Sequence, residues 1–283
     1  MSVTALRLKN PKLAWPDYFN PFLLYSNSKI KSFRPKLRFS FRSGPFTVKT
    51  AQTSDELAEI LKLRHQIFIE EGLGYSKTSQ LDFDKFDLQA DHILLIDNAT
   101  HTVVGTYRIL SSDWVKSFYS SQEFVTDRYL EVMRGLKLEL GRACIKKEYR
   151  KGTAIHLVWK GLGRYINLTS ADYLFGCTSV DSQSYSDVQD LLGVLGESYQ
   201  SQIFDVKPRF RFRFYPEQSG IKLYQDPSEL IPPLLGSYIK AGAQVFGEPA
   251  YDRDFKCFDL FTSMHIKSMN PKYKKKYIQT ETE

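Results

Sequence analysis

One stretch of about 40 residues constrains the fold more than any other part of the chain. It consists of a strand at 138–145, a turn at 149–153, a helix from about 154 to 168, and a second strand at 173–178. The helix is predicted because its apolar residues recur at the helical period. The second strand is short and apolar, as expected in the middle of a sheet. Such a unit requires a sheet with helices packed on it.

The flanking sequence predicts further strands and helices of the same domain. A strand at 46–51 precedes a helix that begins at Ser54, and two runs at 92–97 and 102–110 form a predicted hairpin. A helix at 234–240 and a strand at 255–264 follow later in the chain. Alternating Arg and Phe residues predict another strand near 209–214, with one basic and one apolar face. The fold class is therefore α/β (α+β), with antiparallel strands early and a β-helix-β unit in the middle.

Composition narrows the class of protein. The chain has 283 residues, of which 42% are hydrophobic and 25% charged, as in an ordinary globular protein. No apolar run reaches the roughly 18 residues of a membrane span, and the first residues do not resemble a secretory signal. Three cysteines without a CxxC pair argue against a disulfide framework or a zinc site. We therefore expect a cytoplasmic protein.

Positive charge is concentrated in a few segments. Residues 1–46 contain nine Lys or Arg and one Asp, which is a net charge of +8. The whole chain carries +7, so the remaining residues are close to neutral, at −1. Two further basic clusters lie at 207–213 and 272–277. Basic segments on a near-neutral body fit an anionic partner, such as an acidic carrier protein, anionic lipid or nucleic acid, although each could also be solvated surface charge.

The same patterns divide the chain into regions. Residues 1–45 are predicted to be a basic, aromatic N-terminal extension that lacks clean periodicity. Residues 46–283 are predicted to be a single domain, with an insertion around 181–230 and a basic C-terminal tail.

The turn in the central unit has the properties of an anion site. Gly152 lies in the turn just before the helix, and Arg150 and Lys151 add positive charge. The free N–H groups of a first helical turn bind phosphate, and the helix dipole favours negative charge. A plain helix start is the alternative interpretation, since many such loops contain glycine.

The ordered set of motifs resembles the GNAT acyltransferase superfamily. Within it, the chain is most similar to ornithine-lipid-forming N-acyltransferases and N-acyl amino acid synthases, with acyl-homoserine-lactone synthases more distant. The resemblance covers about 46–278 and rests on the following residues: Arg64, Phe68, Asp84, Asp87, His92, Arg108, Glu139, Arg142, Arg150, Gly152, Ala154, Gly176, Cys177, the Ile231-Pro-Pro run, Gly242, Ala243, Asp252, Asp254 and Phe255.

The resemblance implies a mixed central sheet flanked by helices, with a V-shaped opening between its two central strands. It implies an acyl-carrier-protein donor whose phosphopantetheine is a substrate and not a resident cofactor. The donor would contact Ala143, Cys144, Ile145, Arg150, Lys151, Gly152, Thr153 and Ala154. A fatty or 3-hydroxy-fatty acyl group would pass to the α-amino group of an amino acid such as ornithine. An anionic membrane at the inner face of the cell is a further expected partner, and nucleic acid is not.

Glu139 and Arg142 are the candidate catalytic residues. An amine must lose a proton before it attacks a thioester, so a carboxylate near the reacting centre is useful as a base or as an orienting group. Glu139 could equally form a structural ion pair with Arg142 or Arg108. The strand at 143–145 could supply a backbone N–H to the oxyanion. An acyl-cysteine at Cys144 or Cys177 would need a nearby base that the sequence does not identify.

Asp82, Asp84 and Asp87 form an acidic cluster that could suggest a metal. The glycine and terminal glutamate of an EF-hand loop are missing, so no metal site is predicted. The resemblance instead groups Arg64, Asp84, Asp87 and Arg108 as an acceptor site or a buried charge network.

Two alternatives stay open at this point. One is a synthase of a diffusible signal, an N-acyl amino acid or an acyl-homoserine lactone. The lactone version is disfavoured because the tryptophan that lactone synthases carry after the first helix is replaced by the Gly74-Tyr75 stretch. Lys147 also replaces the proline that is usual in the superfamily. The other alternative is a non-catalytic basic protein that binds membranes or nucleic acid.

Overall fold

The computed structural model describes residues 28–196, 200–201, 203, 205–214 and 226–278. Its strands are β1 Ser40–Ser43, β2 Phe46–Thr50, β3 Asp91–Asp97, β4 Thr102–Ser111, β5 Lys137–Ile145, β6 Tyr173–Val180, β7 Gln244–Val245, β8 Ala250–Asp252 and β9 Cys257–His265. Its α-helices are α1 Ser54–Arg64, α2 Asp127–Val132, α3 Ala154–Thr169, α4 Tyr185–Leu195, α5 Pro233–Ala241 and α6 Pro271–Tyr277. Helix α1 continues directly as a π-helical segment, His65–Glu71.

All nine strands belong to one mixed sheet. The order is β1-β2-β3-β4-β5-β6-β9-β7, and β8 pairs with β9 beside β7. Strands β1 to β5 are antiparallel neighbours, β5 and β6 are parallel, and β9 returns antiparallel to β6. The predicted α/β fold is confirmed.

Strands β5 and β6 separate after a short paired stretch. They pair at three positions, the last being Glu139 with Phe175. Beyond this point β5 stays with β4 as far as Ile145, and β6 stays with β9 as far as Val180. At the apex a Cβ on Gly176 would lie 2.3 Å from the carbonyl oxygen of Leu140, so only glycine allows this close approach. The predicted V-shaped opening is therefore present.

The sheet has two differently covered faces. Helix α3 packs on one of them, where Leu157 and Leu162 join Leu138 and Leu140 in the largest core cluster. Helix α1 lies on the other side and packs against Leu94. Successive strand residues face opposite sides, so Glu139 points away from α3. We call the two sides the α3 face and the α1 face.

The C-terminal basic segment is folded onto α3. It forms α6, whose Tyr277 is buried and hydrogen-bonds through its hydroxyl to Nδ1 of His156 at 2.6 Å. A Cβ at Gly163 would lie 1.7 Å from the carbonyl oxygen of Tyr277, which shows how closely the two backbones approach. The lysines Lys272, Lys275 and Lys276 remain exposed.

Several segments differ from, or lie outside, the sequence-based expectation. The predicted strand near 209–214 is wrong: Phe210–Phe212 is a 3-10 helix. The segment bridges Phe124 only at Pro208, and the chain then turns as Phe212 N–H bonds to the carbonyl oxygen of Arg209. Of the predicted extension, 1–27 lie outside the described residues, whereas β1 is an edge strand of the sheet. Helix α4 lies in the region predicted to be an insertion.

Among the residues that the structure describes, none of the helices combines the length and the apolar character needed to cross a membrane.

Candidate active site at the split strands

A cavity of about 300 Å³ passes through the opening between β5 and β6. On the α3 face its lining is mainly apolar and includes Leu140, Trp159, Leu162, Ile166, Leu174, Tyr238, Ala243, Met264, Met269 and Tyr277. On the α1 face its lining is polar or aromatic and includes Arg108, Tyr119, Glu139, Arg142, Cys177, Asp252, Phe255 and Asp259. One cavity thus joins an apolar compartment to a charged one across the sheet.

Three arginines and three aspartates form a buried network beside the charged half, and we call it the arginine–aspartate network. Arg64 donates to Asp82 at 2.7 and 2.9 Å and to Asp87 at 2.6 Å. Arg108 donates to Asp84 at 2.7 Å and to Asp87 at 3.1 Å. The structure therefore brings together all four residues that the sequence grouped here.

Arg142 is the third arginine of the network. Its guanidinium lies 3.3 Å from Asp82 and 3.6 Å from Asp84, and it sits over the rings of Tyr119 and Phe255. The ring faces favour the cation through their quadrupoles. This combination holds the guanidinium at the wall of the cavity.

The network keeps the carboxylates of Asp82 and Asp87 charged. Burial by itself would raise the pKa of Asp82, but Arg64 and Arg142 outweigh that effect and lower the pKa to about 2. For Asp87 burial is likewise outweighed by Arg64 and Arg108, and its pKa is lowered. Burial lowers the pKa of His92 to about 4, so this histidine is neutral and donates from Nε2 to the carbonyl oxygen of Asp87. The network is thus balanced in charge.

A bulge in β5 places Arg142 and Ala143 at the opening. Thr106 pairs with Cys144 and Arg108 pairs with Gly141, so β5 carries one residue more than β4. Arg142 adopts a left-handed backbone conformation, with φ at 54°. A bulge interrupts the regular pairing of backbone groups and re-aims a side chain. The predicted oxyanion region therefore coincides with a real irregularity of the strand.

Glu139 is held by backbone groups and not by an arginine. Its Oε2 accepts the N–H of Tyr119 and its Oε1 accepts the N–H of Ser120, both at 2.7 Å. Burial raises the pKa of Glu139 above its ordinary value, although these hydrogen bonds act against the shift. Glu139 thus anchors the 3-10 helix Ser120–Gln122 while it lines the cavity. Neither of the two direct ion pairs considered from the sequence is formed.

The predicted phosphate turn lies at the surface, at the end of β5. Arg150 donates to the carbonyl oxygen of Ile145 at 2.9 Å and to Glu71 at 2.7 Å. Lys151, Gly152 and Thr153 are exposed. The first intrahelical bond of α3 runs from Leu157 N–H to the Thr153 carbonyl, which leaves the N–H groups at 154–156 outside the helical pattern. Of the predicted donor-binding residues, Ala143 lines the cavity, whereas Cys144, Ile145 and the buried Ala154 do not.

Cys144 on β5 and Cys177 on β6 both lie in surroundings that disfavour the thiolate. Burial raises the pKa of Cys144 to about 12. Burial, together with Glu123 and Asp259, raises the pKa of Cys177 well above its ordinary value. Since the thiolate is the reactive form, neither environment favours an acyl-cysteine.

The sequence missed one group of residues at the charged end of the cavity. Glu123, Asp252 and Asp259 are buried, and each offers a carboxylate oxygen within 4.8 Å of the others. We call them the triacid cluster. Asp252 belonged to a motif used for the resemblance, but Glu123 follows a 3-10 helix with no distinctive local pattern. Their proximity could not be read from their spacing.

Known proteins resemble this chain in sequence over most of its length. Residues 63–160 match the family model of an acetyltransferase (GNAT) domain. A relative from Brucella abortus, named L-ornithine N(alpha)-acyltransferase, is 28% identical over 256 residues, which are 82% of this chain and 88% of the relative. A relative of the same name from Rhodobacter capsulatus is 29% identical over 248 residues, 82% and 94% of the two chains.

Among solved structures, the AHL synthase LasI is similar with a TM-score of 0.48 and 16% identity, over 84% of this chain and 98% of that one. The sequence relatives set aside the interpretation of the chain as a non-catalytic basic protein. The match of residues 63–160 to a GNAT domain and the similarity to these relatives support an N-acyltransferase with a GNAT-like fold.

Proposed function

We propose that the enzyme transfers a fatty acyl group, in some cases 3-hydroxylated, from acyl-acyl-carrier protein to the α-amino group of an amino acid, with ornithine as the acceptor. The observation that carries the proposal is the single cavity that crosses the split sheet, apolar on the α3 face and charged on the α1 face. A fatty acyl chain fits the first compartment, and a zwitterionic amino acid fits the second. The relatives named for ornithine acylation support the choice of acceptor.

The donor would enter where β5 and β6 part. Its phosphopantetheine arm would extend beside the β5 residues Ala143, Cys144 and Ile145, with the phosphate near Lys151 and Gly152. The helix N-terminus and the lysine favour an anion there. The thioester carbonyl would then lie at the bulge, where a backbone N–H can stabilise the oxyanion.

The acceptor would lie on the α1 face. The Arg142 guanidinium, which lies over the rings of Tyr119 and Phe255, would bind the α-carboxylate. The amine nitrogen attacks the carbonyl carbon, the C–S bond breaks, and the proton lost by the amine is available to the departing thiolate. Glu139 lines this region with a raised pKa, and a carboxylate that accepts two N–H groups retains further lone pairs for an amine or a bridging water.

The basic surfaces suit the remaining partners. The exposed lysines of α6 and the positively charged residues 1–46 would meet the acidic carrier protein or an anionic bilayer. An N-acyl amino acid formed at such a surface can partition directly into the membrane.

The direct test is incubation of the purified enzyme with acyl-carrier-protein thioesters of several chain lengths and a panel of amino acids, followed by mass spectrometry of N-acyl products. Acyl-coenzyme A of matched length is the control for the donor. We expect N-acylornithine with the carrier-protein donor. The absence of product with every donor and acceptor, from folded protein, would refute the proposal.

A further inference from the structure

The triacid cluster brings together residues from three separate parts of the fold. Glu123 follows the 3-10 helix Ser120–Gln122, Asp252 ends β8, and Asp259 lies in β9. All three side chains are at least 95% buried in the protein. Asp252 and Asp259 line the charged half of the cavity, beside Phe255 and Ser179. Asp252 and Asp259 therefore border a space that a ligand can occupy, whereas Glu123 adjoins them without lining it.

The hydrogen-bond partners of the cluster are neutral. Asp259 Oδ1 accepts the hydroxyl of Ser179 at 2.6 Å, and Asp252 Oδ1 accepts two backbone N–H groups, at 2.8 and 3.1 Å. Both carboxylate oxygens of Glu123 are buried. The groups that hydrogen-bond towards this side chain are the Cys177 thiol, the Tyr119 hydroxyl and Asp259, and none of them is a cation. Arg142 acts on Asp259 only from a distance, and its direct ion pairs are with Asp82 and Asp84.

The three buried carboxylates of the triacid cluster lack a compensating positive charge. A buried carboxylate without a compensating cation is costly, and three neighbouring ones repel each other. Burial together with Asp259 and Asp252 raises the pKa of Glu123 well above its ordinary value, and burial also raises that of Asp259 to about 6. A cation bound between the three groups would remove both penalties.

We infer that Glu123, Asp252 and Asp259 form a subsite for the side-chain ammonium of the acceptor, so that the enzyme selects a diamino acid over a neutral amino acid. This inference rests on the proposed function. An ammonium group carries three N–H donors, one for each carboxylate. The acceptor would then extend from Arg142, which binds its α-carboxylate, to the triacid cluster, with its α-amine directed at the opening.

The experiment compares ornithine with 2-aminopentanoic acid, which has the same carbon chain and lacks the second amine. The variants are Glu123→Gln, Asp252→Asn and Asp259→Asn, and the readout is the ratio of kcat/KM for the two acceptors. Asp254→Asn is the matched control, because Asp254 is close in sequence to Asp252 but its side chain is 81% exposed. We expect the wild type and the control to prefer ornithine, and each cluster variant to lower the ratio about 10- to 100-fold, as for loss of a hydrogen bond to a charged group. An unchanged ratio in all three variants would overturn the inference.

Folding and binding are measured separately from turnover. Removal of an unpaired buried charge should leave the melting temperature equal or higher, so reduced activity in these variants would not reflect unfolding. Ornithine should raise the melting temperature of the wild type, and it should do so less in the variants, even without an acyl donor. If ornithine binds in this way but is never acylated, the proposed function fails while the subsite stands.

A divalent cation is the competing occupant. Mg²⁺ and Ca²⁺ are bound by carboxylate oxygens, but they require six or more ligands and usually retain water. Thermal shifts with each metal alone, in the wild type and in Asp259→Asn, distinguish the two cases. We expect no shift from the metals and no loss of ornithine preference in EDTA. A metal-induced shift that Asp259→Asn abolishes, together with loss of preference in EDTA, would assign the cluster to a metal and refute the ammonium subsite.

Discussion

Replacement of Asp82 by asparagine tests how strongly the arginine–aspartate network holds the site together. The carboxylate is 4% exposed and accepts two hydrogen bonds from Arg64, and it lies 3.3 Å from Arg142. Asparagine has nearly the same shape and retains an oxygen acceptor, but it lacks the charge. Arg64, which is fully buried, would then depend on Asp87 alone for a direct ion pair.

The expected loss follows from the pKa of Asp82. The native value of about 2, against an ordinary value of 3.8, corresponds to about 2 kcal/mol of stability at neutral pH. Removal of one partner of a buried pair typically costs about 3–5 kcal/mol, because the other charge is left uncompensated. Since asparagine still accepts a hydrogen bond, we expect Asp82→Asn to lower the free energy of unfolding by about 2–4 kcal/mol.

The contribution of Asp82 to stability should also decrease as the pH falls. The native pKa of Asp82 is lowered, so its contribution is fully present above pH 3.8 and is lost as the pH falls through about 2. Roughly half of the pKa-linked contribution should remain at pH 3. The difference between wild type and variant should therefore be smaller at pH 3 than at pH 7.

Urea unfolding followed by circular dichroism measures this difference, provided that the m value is unchanged. Asp181→Asn, at an exposed aspartate, is the control and should change stability by less than about 0.5 kcal/mol. A loss below about 1 kcal/mol for Asp82→Asn at pH 7, or a difference that grows as the pH falls to 3, would refute the electrostatic account of the network.

Three further predictions concern the opening and the cavity. Gly176→Ala should lower the free energy of unfolding in urea by about 1–3 kcal/mol, because the added Cβ would meet the Leu140 carbonyl. Gly193→Ala is the control in α4, where an added Cβ meets nothing within 4 Å, and it should be neutral or stabilising. Equal effects of the two substitutions on stability would contradict the argument. Wild-type protein incubated with the acyl donor alone should show no acyl adduct in its intact mass, and Cys177→Ala should still be active, because the raised pKa of the thiol disfavours the thiolate. An adduct on the wild type that is lost in Cys177→Ala would instead show covalent catalysis. Ala243→Phe, at the apolar end of the cavity, should shift the product profile towards shorter acyl chains, and an unchanged profile would place the acyl chain elsewhere.

Much of the secondary structure was predictable from local pattern. The prediction of a helix at 154–168 is confirmed by α3, and the predicted hairpin is formed by β3 and β4. Periodicity works here because each element buries one face against the same core. Local pattern was insufficient for Phe210–Phe212, where alternation of aromatic and basic residues does not form a strand. Phe210 stays exposed there, so burial does not enforce the alternation.

At the charged half of the cavity, too, some features could be predicted from the sequence and others could not. Arg64, Asp84, Asp87 and Arg108 could be grouped from the sequence because the resemblance supplied their order, and the structure joins them directly. The partners of Glu139 could not be predicted in this way. They are backbone N–H groups, which every residue carries, and only the path of the chain at 119–120 selects them.

The sequence by itself determined the β-helix-β unit, four members of the network (Arg64, Asp84, Asp87 and Arg108), and the class of reaction. The resemblance implied an opening between the central strands, but tertiary structure alone decided that it begins after Glu139 and that one cavity crosses the sheet there. It also decided that Glu123, Asp252 and Asp259 meet. The physical reason is that a helix or strand follows from interactions between near neighbours in sequence. In the triacid cluster, Glu123 is more than 100 residues from Asp252 and Asp259. Only the packing of β8 and β9 against the segment after Ser120–Gln122 brings the three carboxylates together.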